Sequence, residues 1–307
     1  MAVVHALNNV GTAYVLGQHQ HGWELLERSL RLALEQGVEE GFEEHAARAY
    51  CNLAGCALNE RDYLRAKGYL EAGIAYCAER DLDFWGTALR VSQAQARFEQ
   101  GAWEEAAEEA TQLLSQYHLS VLKISALRVL GWVRLRRGDP GSEPLLEEAH
   151  RLALSTGEYP QIARVAAARA EAAWLQGDLE RCQEEARIGY DLALAHIDPW
   201  DLGELSSWLW RAGGLTSPPE FIAEPYARQF TGDWERAATL WEQIGCPYEQ
   251  ALALAEGVLR PSARRLPSSS NWARSLLRHV CGSGCASRAG KEFPAARALR
   301  RGRIRPD

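Results

Sequence analysis

One arrangement recurs along this chain, and it restricts the possible folds more than any other feature. Tight-turn residues stand at Arg61, Gly101, Gly138 and Gly177, at spacings of 40, 37 and 39. Seven residues ahead of each lies a small side chain: Ala54, Ala94, Gly131 and Ala170. The stretch from Arg90 to Tyr117 shows the whole unit: RVSQAQARFEQ, then GAWEEA, then AEEATQLLSQY. This is a helix, a turn at Gly101, and a second helix opened by Trp103. A small residue in mid-helix lets the paired helix come close, and bulk there would force the two apart. Repetition at such a period marks an array of stacked helical hairpins, each burying the apolar face of its neighbour.

Read in order, the first hairpin pairs Ala6–Leu16 with Trp23–Gln36, with Gly11 where a partner helix must approach. The second pairs Glu43–Asn59 with Tyr63–Glu79. The third is the unit above. The fourth pairs Val121–Arg137 with Glu143–Ser155 across Gly138-Asp139-Pro140-Gly141, a strong helix stop. The fifth pairs Ile162–Gln176 with Leu179–His196. After Pro199 the rhythm changes to a Trp-rich helix ended by Gly213-Gly214. Next come a Ser-Pro-Pro break, a shorter hairpin (Phe221–Phe230 with Trp234–Ile244) and a final helical piece, Glu249–Ala255. The organisation expected is therefore repeats over 1–214, a helical cap over 215–256, and a tail over 257–307.

The tail is a different kind of sequence. From Gly257 onward it holds eleven arginines and Lys291 against only Glu292 and Asp307, in segments such as PSARRLPSSSN and CGSGCASRAG. The preceding residues hold 22 basic and 39 acidic side chains. Low hydrophobicity with many turn formers predicts a disordered basic tail. The abrupt switch suggests sequence read out of frame, or a divergent remnant.

The seven cysteines fall at unpatterned positions, which fits reduced, packed thiols of a cytoplasmic protein. No secretory signal opens the chain, and no run approaches the roughly 20 apolar residues of a membrane span. The sequence carries no nucleophile–base pair and calls for no cofactor, so the expectation is a non-enzyme. His19-Gln20-His21 and the set His279, Cys281 and Cys285 lack the companions of a metal site. Glu104, Glu105, Glu108 and Glu109 read as a solvated helix face, and most of the eleven tryptophans as interhelical packing.

Tetratricopeptide hairpins repeat near 34 residues with small residues in both helices, and this chain resembles a longer-period version. The expected fold is all-α: a tetratricopeptide-like, right-handed helical-hairpin solenoid of about six hairpins with a period of about 37–40. The segments ALNNVGTA, WELLERSLRLALEQG, GIAYCAERDLDFW and VAAARAEAAWLQGDLE are similar to one particular group. So, above all, are DPWDLGELSSWLWRAGG and EPYARQFTGDWERAATLWEQIGCPYEQALALAEG. That group is the large ATP-dependent LuxR-type (MalT-like) transcriptional regulators, and the resemblance covers about residues 3–256. It implies a sensor region that belongs between an upstream ATPase module and a C-terminal helix-turn-helix. This chain departs from the pattern, since no G-x-x-x-x-G-K-[ST] occurs. It reads as a truncated chain that opens within a repeat, with no direct DNA binding expected and no membrane association. A free-standing scaffold for protein–protein interaction is the alternative.

In tetratricopeptide arrays the first helices of successive hairpins line the concave face. Positions six and three before the small residue, and one after it, are then expected to point inward. Asn8, Arg48, Gln95, Arg128, Trp132, Arg164 and Glu171 result as ligand- or partner-binding candidates. The arginines offer planar forks for carboxylate or phosphate, so an effector small molecule or an acidic protein segment would suit them. Equally, they pair with Glu171 and neighbouring acids across the groove.

Overall fold

The computed structural model describes residues 1–36, 41–116 and 120–259. Of the expected disordered tail, residues 257–259 belong to the last helix, and residues 260–307, including His279, Cys281 and Cys285, lie outside the described residues. Among the described residues the chain is all-α, with helices packing in sequence as neighbouring pairs, a helical-hairpin solenoid. The helices are α1 (Ala2–Leu16), α2 (His21–Gln36), α3 (Phe42–Asn59), α4 (Tyr63–Ala78), α5 (Asp83–Glu99), α6 (Trp103–Gln116) and α7 (Ser120–Arg137). There follow α8 (Ser142–Thr156), α9 (Tyr159–Gln176), α10 (Leu179–His196), α11 (Pro199–Arg211), α12 (Glu224–Thr231), α13 (Trp234–Ile244) and α14 (Pro247–Leu259).

The expected turns are real and share one geometry. Arg61, Gly101, Gly138 and Gly177 all take left-handed backbone, with φ of 59°, 82°, 77° and 83°. Glycine adopts that conformation without penalty, whereas Arg61 carries a Cβ into it. In several turns the next residue is an aspartate. Its N–H closes the helix behind, as with Asp62 to the Ala57 carbonyl and Asp178 to the Ala173 carbonyl. The carboxylates of Asp62 and Asp178 then accept the N–H of Arg65 and Arg181, capping the helix ahead. Two adjacent residues thus end one helix and start the next. The same rule extends beyond the four expected turns. Gln18 and Gly213 are also left-handed, and seven residues before them lie buried Gly11 and Ser206.

The chain divides into two compact units. Unit 1 comprises Met1–Arg97 with Glu105–Val129. Its hairpins close on small residues. A Cβ on Gly22 would stand 2.6 Å from the Val15 nitrogen and 2.7 Å from the Gly11 carbonyl oxygen, so α1 and α2 are in backbone contact there. Ala46, Ala47, Ala49, Leu53 and Ala54 are fully buried in α3, and Ala33 of α2 packs with Val4, Phe42 and Ala46.

Unit 2 comprises Phe98–Glu104 and the chain from Leu130 onward. Gly131 meets α8 closely: a Cβ there would lie 3.0 Å from the Leu146 side chain and 3.2 Å from the Leu145 Cβ. Gly189 does the same for α10, with Leu205 at 2.9 Å and the Ala163 Cα at 3.1 Å. Indoles fill the larger gaps. Trp103, Trp132, Trp174, Trp208 and Trp241 are buried, and Trp174 packs on Trp208 with ring centres 5.5 Å apart.

Candidate functional site

The first helices of the hairpins are tied to one another by polar side chains, and these ties decide which of the expected site residues remain open. In unit 1, Arg48 of α3 donates from Nη2 to Asn9 Oδ1 of α1 at 2.6 Å. One turn further along α3, Asn52 donates to the side chain of Asn8. Asn8 is buried, while Asn9 is exposed and Arg48 half-buried. His5 and His45 flank the pair with ring centres 5.7 Å apart. Burial and then the positive neighbours His5, the N-terminus and Arg48 lower the His45 pKa. Gly55 looks onto open space, since a Cβ there would touch nothing. The result is a partly open, amide-rich cluster across α1 and α3 in which Arg48 carries the positive charge.

Further along the same unit the expected face closes. Arg128 of α7 is 2% exposed and donates from Nη2 to Gln95 Oε1 of α5 at 2.9 Å. Neither side chain lines an open surface.

Unit 2 closes more completely. Glu171 of α9 is wholly buried and accepts four hydrogen bonds: Trp132 Nε1 at 2.6 Å, Arg136 Nε and Nη2 at 3.0 Å each, and Tyr248 OH at 2.7 Å. The Arg136 guanidinium lies over the Tyr248 ring, 3.6 Å from its centre, and contacts the Phe98 and Trp132 rings. Glu249 supplies a second carboxylate to Arg136 at 3.3 Å. Burial, followed by the Glu171 carboxylate, pushes the Tyr248 phenol well above its usual range, which keeps it a donor. This knot joins α7, α9 and α14. Arg164 sits at the more open end of α9. Its Nε lies 3.6 Å from Asp201 Oδ1 of α11, and the Tyr159 hydroxyl donates to Asp201 Oδ2 at 3.1 Å. Tyr159 in turn stacks on His196 at 4.2 Å and 7°.

The expectation of one arginine-lined groove is therefore corrected at five positions. Asn8, Gln95, Arg128, Trp132 and Glu171 are buried, because adjacent first helices approach closely enough to consume them in helix-to-helix bonds. The expected position six before the small residue stays open, as His5, Arg48 and Arg164 show, whereas the position three before it is mostly buried. Arg136, Tyr248 and Asp201 were not expected. Arg136 lies four residues after Trp132 and so shares its helix face, a signal that was available. Tyr248 lies 77 residues from Glu171, beyond any local pattern.

Burial pushes the thiols of Cys51, Cys56 and Cys182 up to about 12, so they stay protonated and inert. Among the described residues no group of three or more His, Cys, Asp or Glu could hold a metal ion, and His21 sits 2.9 Å from Glu24. Glu109, expected to be solvated, is half-buried and paired with Arg97 at 2.6 Å. Among the described residues no helix is long and apolar enough to cross a membrane.

No family model matches the chain, and no curated protein sequence matches it.

Proposed function

We propose that this chain is a non-catalytic sensor or interaction region of the LuxR-type, ATP-dependent regulator class. It acts in the cytoplasm by binding an effector or an acidic protein segment on the first-helix face of unit 1. The sequence resemblance over about residues 3–256 supports the regulator class, and the helical-hairpin array suits a recognition surface. The observation that carries the site is the cluster at Arg48. It is an arginine half open to solvent, held at one end by Asn9 and bordered by His5, His45 and the amides of Asn8 and Asn52. A guanidinium fixed by a neutral amide keeps its charge available, unlike Arg164, whose charge is already met by Asp201. Carboxylate or phosphate groups are the complementary chemistry. In the regulator arrangement, binding there would bias an ATPase module elsewhere in the assembly.

The test is thermal unfolding of the protein with a panel of nucleotides, phosphorylated sugars and acidic peptides, repeated for Arg48→Ala. A ligand that prefers the folded state raises the midpoint. A shift present in the wild type and lost in Arg48→Ala supports the reading. A shift that survives the substitution places the site elsewhere.

A further inference from the structure

Helix periodicity lays out the cluster at Arg48. His5 and Asn9 stand four residues apart on α1, and His45, Arg48 and Asn52 stand three and four apart on α3, so each set shares one helix face. The two faces meet. The His5 and His45 rings lie 5.7 Å apart, and one turn further on Arg48 Nη2 donates to Asn9 Oδ1 at 2.6 Å. Buried Phe42 packs edge-to-face with His45 at 6.4 Å, which restrains that ring. Among the described residues no carboxylate lies within ion-pair distance of His5, His45 or Arg48. Elsewhere such groups are met: His21 has Glu24 at 2.9 Å, and Arg164 has Asp201 at 3.6 Å.

The surroundings of His45 oppose a charge on it. Burial acts first, then His5, the terminal amino group and Arg48, while the Glu44 carboxylate acts the other way and more weakly than each of these. The ring is therefore neutral at pH 7, three residues from a fixed positive charge. An anion reverses the balance. Seated on the remaining N–H groups of Arg48, an oxyanion stands beside His45, since Cβ atoms at this spacing are about 5–6 Å apart. Its negative charge favours the protonated ring, and an imidazolium donates from both nitrogens. Two negative charges are then matched by two positive ones, Arg48 and His45. A monocarboxylate is already matched by Arg48 alone.

We propose that the Arg48 cluster binds a doubly charged oxyanion, a phosphate monoester, together with one proton from solvent that His45 takes up. This rests on the reading of Arg48 as the recognition site and narrows its ligand from carboxylate or phosphate to phosphate. Linkage is reciprocal, so the anion strengthens proton binding at His45 by the factor with which the proton strengthens anion binding. The sign follows. Affinity for a dianion is full where His45 is protonated even without ligand, and falls by at most about tenfold per pH unit as pH rises. It levels off once His45 is neutral in the complex as well. A phosphate monoester itself gains a proton near pH 6, so sulfate, doubly charged throughout, is the cleaner probe.

The experiment is a nuclear magnetic resonance titration of histidine ring protons in the full chain, from about pH 5.5 to about 8, which spans the imidazole transition. It is run in sulfate, acetate and chloride at equal ionic strength, with the His45 signal assigned by its loss in His45→Gln. The expected result is a His45 midpoint higher in sulfate than in chloride by about half a pH unit or more, and little moved by acetate. That sulfate shift is lost in Arg48→Gln, whose amide can still donate to Asn9. Sulfate that moves the Asn9 and Asn52 side-chain amide signals through Arg48, yet leaves the His45 midpoint in place, overturns the proton coupling and keeps Arg48 as an anion site. An equal shift in acetate overturns the choice of a dianion, and a shift that survives Arg48→Gln overturns the proposal as general screening. No response of Asn9, Asn52 or His45 to sulfate overturns the proposal together with the reading of Arg48 on which it rests.

Discussion

Replacing Glu171 by alanine is the sharpest perturbation of unit 2. The carboxylate is wholly buried and accepts from Trp132, twice from Arg136, and from Tyr248. Its removal strands the Arg136 guanidinium, itself 2% exposed, with Glu249 at 3.3 Å as its remaining carboxylate among these contacts. An indole N–H and a phenol also lose their acceptor. Breaking a buried ion pair from one side costs about 3–5 kcal/mol, because the orphaned charge stays desolvated. The donors act as one network, so their losses do not add separately. Tyr248→Phe removes one donor and leaves the carboxylate three, so it should cost only about 1–2 kcal/mol. Urea denaturation followed by far-ultraviolet circular dichroism reads both, through the midpoint at unchanged slope. If Glu171→Ala unfolds within about 1 kcal/mol of the wild type, the knot does not hold α7, α9 and α14 together and the reasoning fails.

Three further outcomes follow from the same structure. Gly131→Leu should cost about 1–3 kcal/mol by overpacking, since even a Cβ would lie 3.0 Å from Leu146; an unchanged midpoint would contradict the close packing of α7 on α8. Arg128→Ala should destabilise by more than about 1 kcal/mol because it strips a buried side chain from Gln95, whereas half-open Arg48→Ala should cost less than that, both read by urea midpoint. Cys51, Cys56 and Cys182 have folded pKa values raised from the usual 9 to about 12, so the stability they contribute is full below pH 9 and lost as pH rises from 9 toward 12. Denaturation midpoints should therefore fall across that window, and native thiols should resist an aromatic disulfide reagent at pH 8.

The sequence made the turns legible because their cause is local. A left-handed residue followed by aspartate, with a small residue seven before, is visible at Arg61 and Gly177 without any tertiary knowledge. Helix ends set by such turns agree to a residue or two, as in Leu179–His196. Helix starts without a capping signal were harder. The third hairpin was expected to begin at Arg90, yet α5 begins already at Asp83. The groove was misjudged for a physical reason. Periodicity says which face a residue occupies but not how near the neighbouring helix stands. Arg128 and Trp132 share the expected face with Arg48 and Arg164, yet adjacent first helices pack so tightly there that Gln95 and Glu171 absorb them. Partners such as Tyr248, far away in sequence, become visible only in three dimensions.

The measurement nearest to the central claim is ligand-dependent thermal unfolding of the wild type beside Arg48→Ala and Arg164→Ala. The account predicts that a carboxylate- or phosphate-bearing ligand raises the wild-type midpoint and the Arg164→Ala midpoint alike, and leaves Arg48→Ala unmoved. A shift retained in Arg48→Ala and lost in Arg164→Ala would contradict it, placing recognition beside Asp201 in unit 2 rather than on the open face of α1 and α3.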